Sequence, residues 1–175
     1  MIDKLLSLDG AILLFIQEHV RNPVLNPIVI WITKLGDSGL IWILLSIILL
    51  SFKRTRKIGI ISVCGLVGSF WINNQLLKNL FERVRPYDAI NGLVPLIDRP
   101  GGFSFPSGHT ASSFAAAYVM FQRLPKKWGI PILILALLIG LSRLYVGVHY
   151  PTDVLFGMIS GILISYMAGR MVDSV

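Results

Sequence analysis

Residues 129–148, GIPILILALLIGLSRLYVGV, form an almost unbroken apolar run that contains a single charged residue, Arg143. Runs of this length and apolarity are typical of helices that cross a membrane. Over all 175 residues, 54% are hydrophobic and 14% are charged, whereas about a quarter of the residues in soluble domains are charged. The chain is therefore predicted to be an all-α, polytopic membrane protein.

Further helical segments flank this run on both sides. A short amphipathic helix is expected at the membrane surface over residues 11–20, followed by six spanning helices. Residues 1–175 together are predicted to form one membrane-embedded domain. The spanning helices are predicted at residues 24–36, 39–52, 58–84, 108–122, 129–148 and 153–171.

Two basic clusters lie between apolar segments, at residues 53–57 and 123–127. Anchoring at a membrane surface explains their placement, and much of the net charge of +7, better than a nucleic-acid-binding face does. By the positive-inside rule, both clusters face the cytoplasm. The loop 85–107 and the segment from Arg143 to His149 then share the opposite side, and six spans put both termini in the cytoplasm.

Three groups of polar residues fall on that predicted outer side. In the first group, Lys78 and Arg85 are seven residues apart and are expected to share one helical face before Pro86 ends the helix. The second group precedes an apolar helix and the third follows one. The three groups are Lys78 to Pro86, Pro106 to His109, and Ser142 to Asp153.

The cations and the turn in these groups suit an anionic phosphate ester. Lys78, Arg85 and Arg143 supply permanent positive charge, and each arginine can hold two phosphate oxygens at once. The backbone N–H groups of Ser107 and Gly108 open a helix, where oxyanions bind readily. Glycine at this position lets a phosphate approach the backbone closely. The sequence therefore predicts a phosphate-binding site.

The two histidines of these groups divide into a nucleophile and an acid. Asp153 follows His149 by four residues and could accept one ring N–H, which fixes the tautomer and stabilises a cationic phosphohistidine. His109 has no carboxylate in its own motif, which suits a proton donor to the leaving oxygen. The predicted catalytic residues are thus His149, His109 and Asp153.

These groups resemble the signature of the type 2 phosphatidic acid phosphatase family, which is K-x6-RP, then PSGH, then SR-x5-H-x3-D, and they match it without a departure. The resemblance implies a membrane lipid phosphatase that uses no metal and no other cofactor. It implies that His149 attacks phosphorus, that His109 protonates the leaving group and that Asp153 orients His149. It assigns phosphate binding to Lys78, Arg85, Ser107, Gly108 and Arg143.

Several functions stay open for such a sequence. Undecaprenyl pyrophosphate is the favoured substrate because it is released on the outer face, and phosphatidylglycerophosphate and phosphatidate are alternatives from the same family. An anion transporter would need charges near the bilayer midplane and discontinuous helices. A catalytically inactive lipid-binding protein would not need the full set of His109, His149 and Asp153. The oligomeric state, and the choice between monophosphate and diphosphate, do not follow from the sequence.

Overall fold

The computed structural model describes residues 2–174, with the side chains of residues 6–174, and this part of the chain is entirely helical in its regular structure. The predicted all-α class is confirmed. π-Helical segments at Ile16–Val20 and Phe70–Leu77 and a 3₁₀ turn at Asp37–Gly39 link some of the helices. The α-helices are α1 (Ile2–Phe15), α2 (Leu25–Leu35), α3 (Leu40–Ser51), α4 (Arg56–Ser69), α5 (Lys78–Phe81), α6 (Pro86–Ala89), α7 (Gly108–Arg123), α8 (Lys126–Tyr145) and α9 (Pro151–Asp173).

Fewer helices than predicted are long enough to cross a membrane. Three stretches of the described chain qualify by length and apolarity, namely Arg56–Ala89, Lys126–Tyr145 and Pro151–Asp173. Helices α2 and α3 have 11 and 12 residues, or about 17 Å each, so neither crosses alone. Because the chain bends by 47° between them, the pair adds at most one broken span. The predicted membrane-protein class is confirmed, and by length and apolarity the described helices supply three spans, or four if the bent pair forms one.

Helix α7 is the central element and packs against α4, α8 and α9. Close packing depends on glycines of its neighbours, because a Cβ on Gly157 would lie 2.7 Å from the Ser107 carbonyl oxygen and one on Gly65 would lie 3.0 Å from that of Ala115. Small residues also fill the buried face of α7 itself. They include Ala111, Ser113, Ala115, Ala116 and Ala117.

The helix predicted over residues 58–84 is interrupted before its end. It widens into π-helical geometry ahead of Lys78 and stops at Phe81, because Glu82 adopts a left-handed backbone conformation with a φ of 44°. Arg85 then lies in extended backbone, as expected for a residue that precedes proline. Lys78 and Arg85 therefore do not share one helical face, and the prediction that they would was wrong.

The two ends of the bundle carry different parts of the chain. At one end, Asp9 of α1 accepts a hydrogen bond of 3.1 Å from the backbone N–H of Thr152, at the start of α9. At the other end, Asp173 forms ion pairs with Lys57 and Arg123. Residues 9 and 173 therefore lie at opposite ends of the bundle. That both termini lie in the cytoplasm stays a prediction, because these contacts do not define the sides of the membrane.

Candidate active site

A cavity of about 700 Å³ lies between α3, α4 and α7 and brings the three sequence groups together. One end of it is polar, and the other runs between the apolar side chains of α3 and α4. Six of the eight residues predicted for the site line the polar end. They are Lys78, Arg85, Gly108, His109, Arg143 and His149.

His149 lies in the connection between α8 and α9 and is 1% exposed. A guanidinium group can only donate hydrogen bonds, so His149 Nε2, at 3.3 Å from Arg85 Nη1, must accept. The ring proton is then on Nδ1, which lies 3.4 Å from Asp153 Oδ2. Burial lowers the pKa of the His149 imidazole to about 3, although Asp153 opposes that shift. The ring is therefore neutral at physiological pH, with the lone pair of Nε2 on the side of Arg85.

The Asp153 carboxylate behind His149 is held through both of its oxygens and is fully buried. Oδ2 accepts hydrogen bonds from Ser104 Oγ at 2.5 Å and from the backbone N–H of Tyr150 at 3.0 Å. Oδ1 accepts one from Arg83 Nη1 at 2.5 Å. The pairing of Asp153 with His149 was predicted. Ser104 and Arg83 were missed, because neither belongs to a motif that contains the aspartate.

His109 occupies the first turn of α7 and has a carboxylate partner from a distant part of the chain. Its Nε2 lies 2.9 Å from Oδ1 of Asp37, in the turn between α2 and α3. The Asp37 side chain is 61% exposed and that of His109 is 22% exposed, so the pair reaches solvent through Asp37. Burial and the nearby Arg143 lower the pKa of the His109 imidazole to about 4, and the Asp37 carboxylate opposes that shift because it favours the protonated ring. No spacing pattern indicated this pair, because 72 residues separate its members.

Two cations of the site keep hydrogen-bonding capacity for an anion. Arg143 is 2% exposed and donates from Nη1 to Thr33 Oγ1 at 2.5 Å, while its Nε is buried without a partner in the described chain. The ammonium group of Lys78 lines the same cavity, and no described carboxylate lies within ion-pair distance of it. A buried donor without a partner is costly, so Arg143 favours an anionic occupant, and the charge of the half-buried Lys78 favours the same.

Arg85 is engaged on every side in this structure. Its Nε and Nη2 donate to the carbonyl oxygens of Gly102 and Gly101 at 3.0 and 3.1 Å. Its Nη1 donates to Val148 O and to His149 Nε2. Arg85 thus joins the loop 85–107 to the nitrogen predicted to be the nucleophile. A phosphate that approaches this nitrogen must take over the hydrogen bond from Nη1.

The two residues predicted as an oxyanion seat differ from each other. Ser107 is fully buried, its N–H donates to the Asp153 carbonyl oxygen at 3.1 Å, and its Oγ accepts from Thr110, so it caps α7 and ties it to α9. The predicted use of this N–H for phosphate is not supported, because the N–H is already engaged. Gly108 does line the cavity, and a Cβ there would lie 2.5 Å from Asn74 Oδ1.

Known proteins resemble this chain over most of its length. The profile of the PAP2 superfamily matches residues 58–174. An undecaprenyl-diphosphatase from Sulfolobus acidocaldarius is 35% identical over 82% of this chain and 69% of its own. Phosphatidylglycerophosphatase B from Bacillus subtilis is 35% identical over 85% of this chain and 75% of its own. The crystal structure of a transmembrane PAP2-type phosphatidylglycerolphosphate phosphatase from B. subtilis superposes with a TM-score of 0.80 at 30% identity, covering 98% of this chain and 88% of that one.

Proposed function

The chain belongs to the PAP2 superfamily, and we propose that it is a membrane-embedded lipid phosphatase whose substrate is undecaprenyl diphosphate. The two-part cavity carries this proposal. Its polar end suits a phosphate, and its other end offers a channel for an isoprenoid or acyl tail. The apolar wall is formed by Ile43, Ile47, Val63, Leu66, Val67 and Phe70.

Phosphate binding falls to the cations at the polar end of the cavity. Arg143 Nε and the Lys78 ammonium hold phosphate oxygens, and Arg85 Nη1 transfers its hydrogen bond from His149 to a third oxygen. Gly108 keeps the start of α7 open to the anion. Ser107 acts through the helix cap that it forms and makes no contact of its own with the phosphate.

The reaction then runs through a phosphohistidine. His149 Nε2 forms a bond to phosphorus while the bond from phosphorus to the leaving oxygen breaks, and His109 gives that oxygen its proton. Asp153 stabilises the imidazolium of the phosphohistidine. Water next attacks phosphorus and gives its proton to His109, and the electrons of the nitrogen–phosphorus bond return to His149. The net change is a lipid diphosphate and water converted to a lipid monophosphate and phosphate.

The polar end of the cavity lies on the outer side of the membrane in this proposal. Lys57 and Arg123, which belong to the two basic clusters, pair with Asp173 at the opposite end of the bundle. This orientation puts α1 on the outer side and the end of α9 in the cytoplasm. Accordingly, Asn91→Cys in a Cys64→Ser background should react with an impermeant maleimide on intact cells, and Lys53→Cys should not. The reverse pattern would invert the proposed orientation.

Phosphatidylglycerophosphate is the second candidate substrate, because one relative that is 35% identical and the solved structure with a TM-score of 0.80 carry that activity in their names. Both candidates pair a phosphate with a long apolar tail. An anion transporter is disfavoured, because the three cations of the cavity, Lys78, Arg85 and Arg143, lie beside two histidines and near a buried carboxylate.

Phosphate release by the purified protein from a panel of lipid phosphates tests the function. Undecaprenyl diphosphate, phosphatidylglycerophosphate and phosphatidate are compared by kcat/KM, each with a chelator present and with added Mg²⁺. The proposal expects activity that survives the chelator and is highest on undecaprenyl diphosphate. A strict need for Mg²⁺ would contradict the metal-free mechanism. No release from any of the three lipids would contradict the function.

A further inference from the structure

Arg83 bridges two carboxylates that come from opposite parts of the chain. Its Nη1 lies 2.5 Å from Asp153 Oδ1, and its Nη2 lies 2.7 Å from Asp9 Oδ2. The Arg83 side chain is 18% exposed, whereas those of Asp9 and Asp153 are 3% and 0% exposed. Burying two carboxylates around one cation is costly unless all three groups are fully hydrogen-bonded. The two short ion pairs meet this requirement, so Arg83 connects Asp9 to Asp153 by hydrogen bonds.

Thr152 closes this bridge into a network. Its backbone N–H donates to Asp9 Oδ1 at 3.1 Å, and its hydroxyl donates to Asp9 as well. Arg83 Nη1 lies a further 2.7 Å from Thr152 Oγ1, and the guanidinium group stacks 3.8 Å above the ring centroid of Tyr150. Asp9 thus accepts hydrogen bonds from the first turn of α9, directly beside Asp153. Asp9, Thr152 and Tyr150 thus hold the Arg83 guanidinium group beside the Asp153 carboxylate.

We propose that Arg83 is a positioning residue that acts on His149 through Asp153, and that Asp9 of α1 anchors it. This inference rests on the proposed function of the same site. Arg83 occupies Oδ1 of Asp153, which leaves Oδ2 directed at Nδ1 of His149. Without Arg83, Oδ1 is a buried carboxylate oxygen without a cation, so the carboxylate rotates or takes up a proton. Either change weakens the hydrogen bond that keeps the proton on Nδ1 of His149, so the ring no longer holds a single tautomer.

The geometry around His149 makes the site sensitive to such a change. The distance from His149 Nδ1 to Asp153 Oδ2 is 3.4 Å, and Ser104 Oγ lies 3.5 Å from the same nitrogen. A contact of this length weakens steeply when the acceptor turns away. A planar guanidinium fork can fix the carboxylate while it also holds Asp9, whereas a lysine ammonium is a point charge on a flexible stem.

Through Asp9, the bridge also connects the N-terminal helix α1 to the catalytic site. Asp9 lies in α1, outside the stretch 58–174 that the family profile matches. Below Asp9, Leu13 is fully buried and packs with Leu93 and Tyr150. Helix α1 therefore docks by an apolar contact and delivers one carboxylate to the catalytic end of the bundle.

Steady-state kinetics test the inference with graded variants. Arg83→Gln should lower kcat by about 10- to 100-fold, as is usual when a side chain that orients a functional residue through a hydrogen bond is lost. KM should stay within about twofold of the wild-type value. Arg83→Lys and Asp9→Asn should lose less, and guanidinium ion should restore part of the activity of Arg83→Ala. Arg99→Gln, which removes an exposed arginine paired with Asp88, is the control and should behave as the wild-type protein. An unchanged kcat in Arg83→Gln, or a loss confined to KM, would overturn the inference.

A second measurement needs no substrate and so separates this inference from the proposed function. ¹⁵N NMR of histidine-labelled protein reports the tautomer of His149, and His149→Gln identifies its signals among the three histidines. The wild-type ring should carry its proton on Nδ1 at neutral pH, and Arg83→Gln should show mixed tautomers or a protonated ring. If Arg83→Gln does not fold, Arg83→Lys and Asp9→Asn should show a smaller shift of the same kind. A wild-type tautomer in every folded variant would overturn the inference, whatever the lipid assays show.

Discussion

The two histidines of the site lie in opposite kinds of surroundings. His149 is 1% exposed and sits against Arg85, Ser104 and Asp153, with Asp153 itself held by further donors. His109 lies at the start of a helix, and its partner Asp37 is 61% exposed. The buried surroundings of His149 fix one tautomer of its neutral ring. In the proposed mechanism, the more exposed His109 exchanges the proton with the leaving group and with the attacking water.

The largest loss of activity is expected when the buried histidine, His149, is replaced. His149→Gln should lower phosphate release from a lipid diphosphate by about 10⁴-fold or more, because the attacking nitrogen is lost. His19→Gln, which removes the exposed histidine of the N-terminal segment, is the control and should leave the rate unchanged. A His149→Gln rate within tenfold of the wild-type rate would show that another group attacks phosphorus.

When His109 is replaced, the loss of activity should depend on the leaving group of the substrate. His109→Gln should slow turnover of a lipid diphosphate by about 10²- to 10⁴-fold, because the leaving oxygen then departs without a proton. With p-nitrophenyl phosphate, whose leaving group needs no proton, the first burst of nitrophenol should stay close to the wild-type burst. Rapid-mixing measurements of that burst check the prediction. An equally slowed burst with the aryl ester would contradict the acid role of His109.

A smaller effect is expected at the partner of His109. Asp37→Asn should lower kcat on the lipid diphosphate by about tenfold, which corresponds to one unit in the pKa of a group that a carboxylate stabilises in its charged form. Asp88→Asn offers a matched control, since Asp88 is also exposed and pairs with Arg99. Equal rates in the two variants would remove Asp37 from the mechanism.

The smallest effect is expected from pH on the buried ring. Burial holds the pKa of His149 below its ordinary value of 6.5, so the neutral, reactive form persists as the pH falls and is lost only below the lowered pKa. In a His109→Gln background, the burst with p-nitrophenyl phosphate should therefore change little between pH 8 and pH 5.5. A titration of the burst rate with a midpoint at or above pH 6.5 would contradict the buried, neutral nucleophile.

The sequence motifs specified the inner part of the site because each is a local pattern of spacing. The four-residue step from His149 to Asp153 survives folding, since Tyr150 and Pro151 start α9 and Asp153 falls in its first turn. The seven-residue step from Lys78 to Arg85 gave a wrong geometry, although both residues line the cavity. A local pattern identified these residues without showing that the helix ends at Phe81.

The partners beyond the motifs could not be read from the sequence. Asp37, Ser104 and Asp9 reach the site only through the packing of the helices, and no spacing links them to the histidines. The broken span formed by α2 and α3 could not be read from the sequence for a related reason. The sequence predicts α2 and α3 as two separate spans, and only the fold shows that the chain bends by 47° between them, so that together they form at most one broken span.

The most direct test of the mechanism is to trap the phosphoenzyme. The protein is mixed with a lipid diphosphate labelled with ³²P at its terminal phosphate, stopped in alkaline denaturant, where phosphohistidine is stable, and digested for mass spectrometry. The label should map to His149, disappear in His149→Gln and accumulate in His109→Gln, which lacks the base for the second step. Turnover without protein-bound label, or label on another residue, would contradict His149 as the nucleophile.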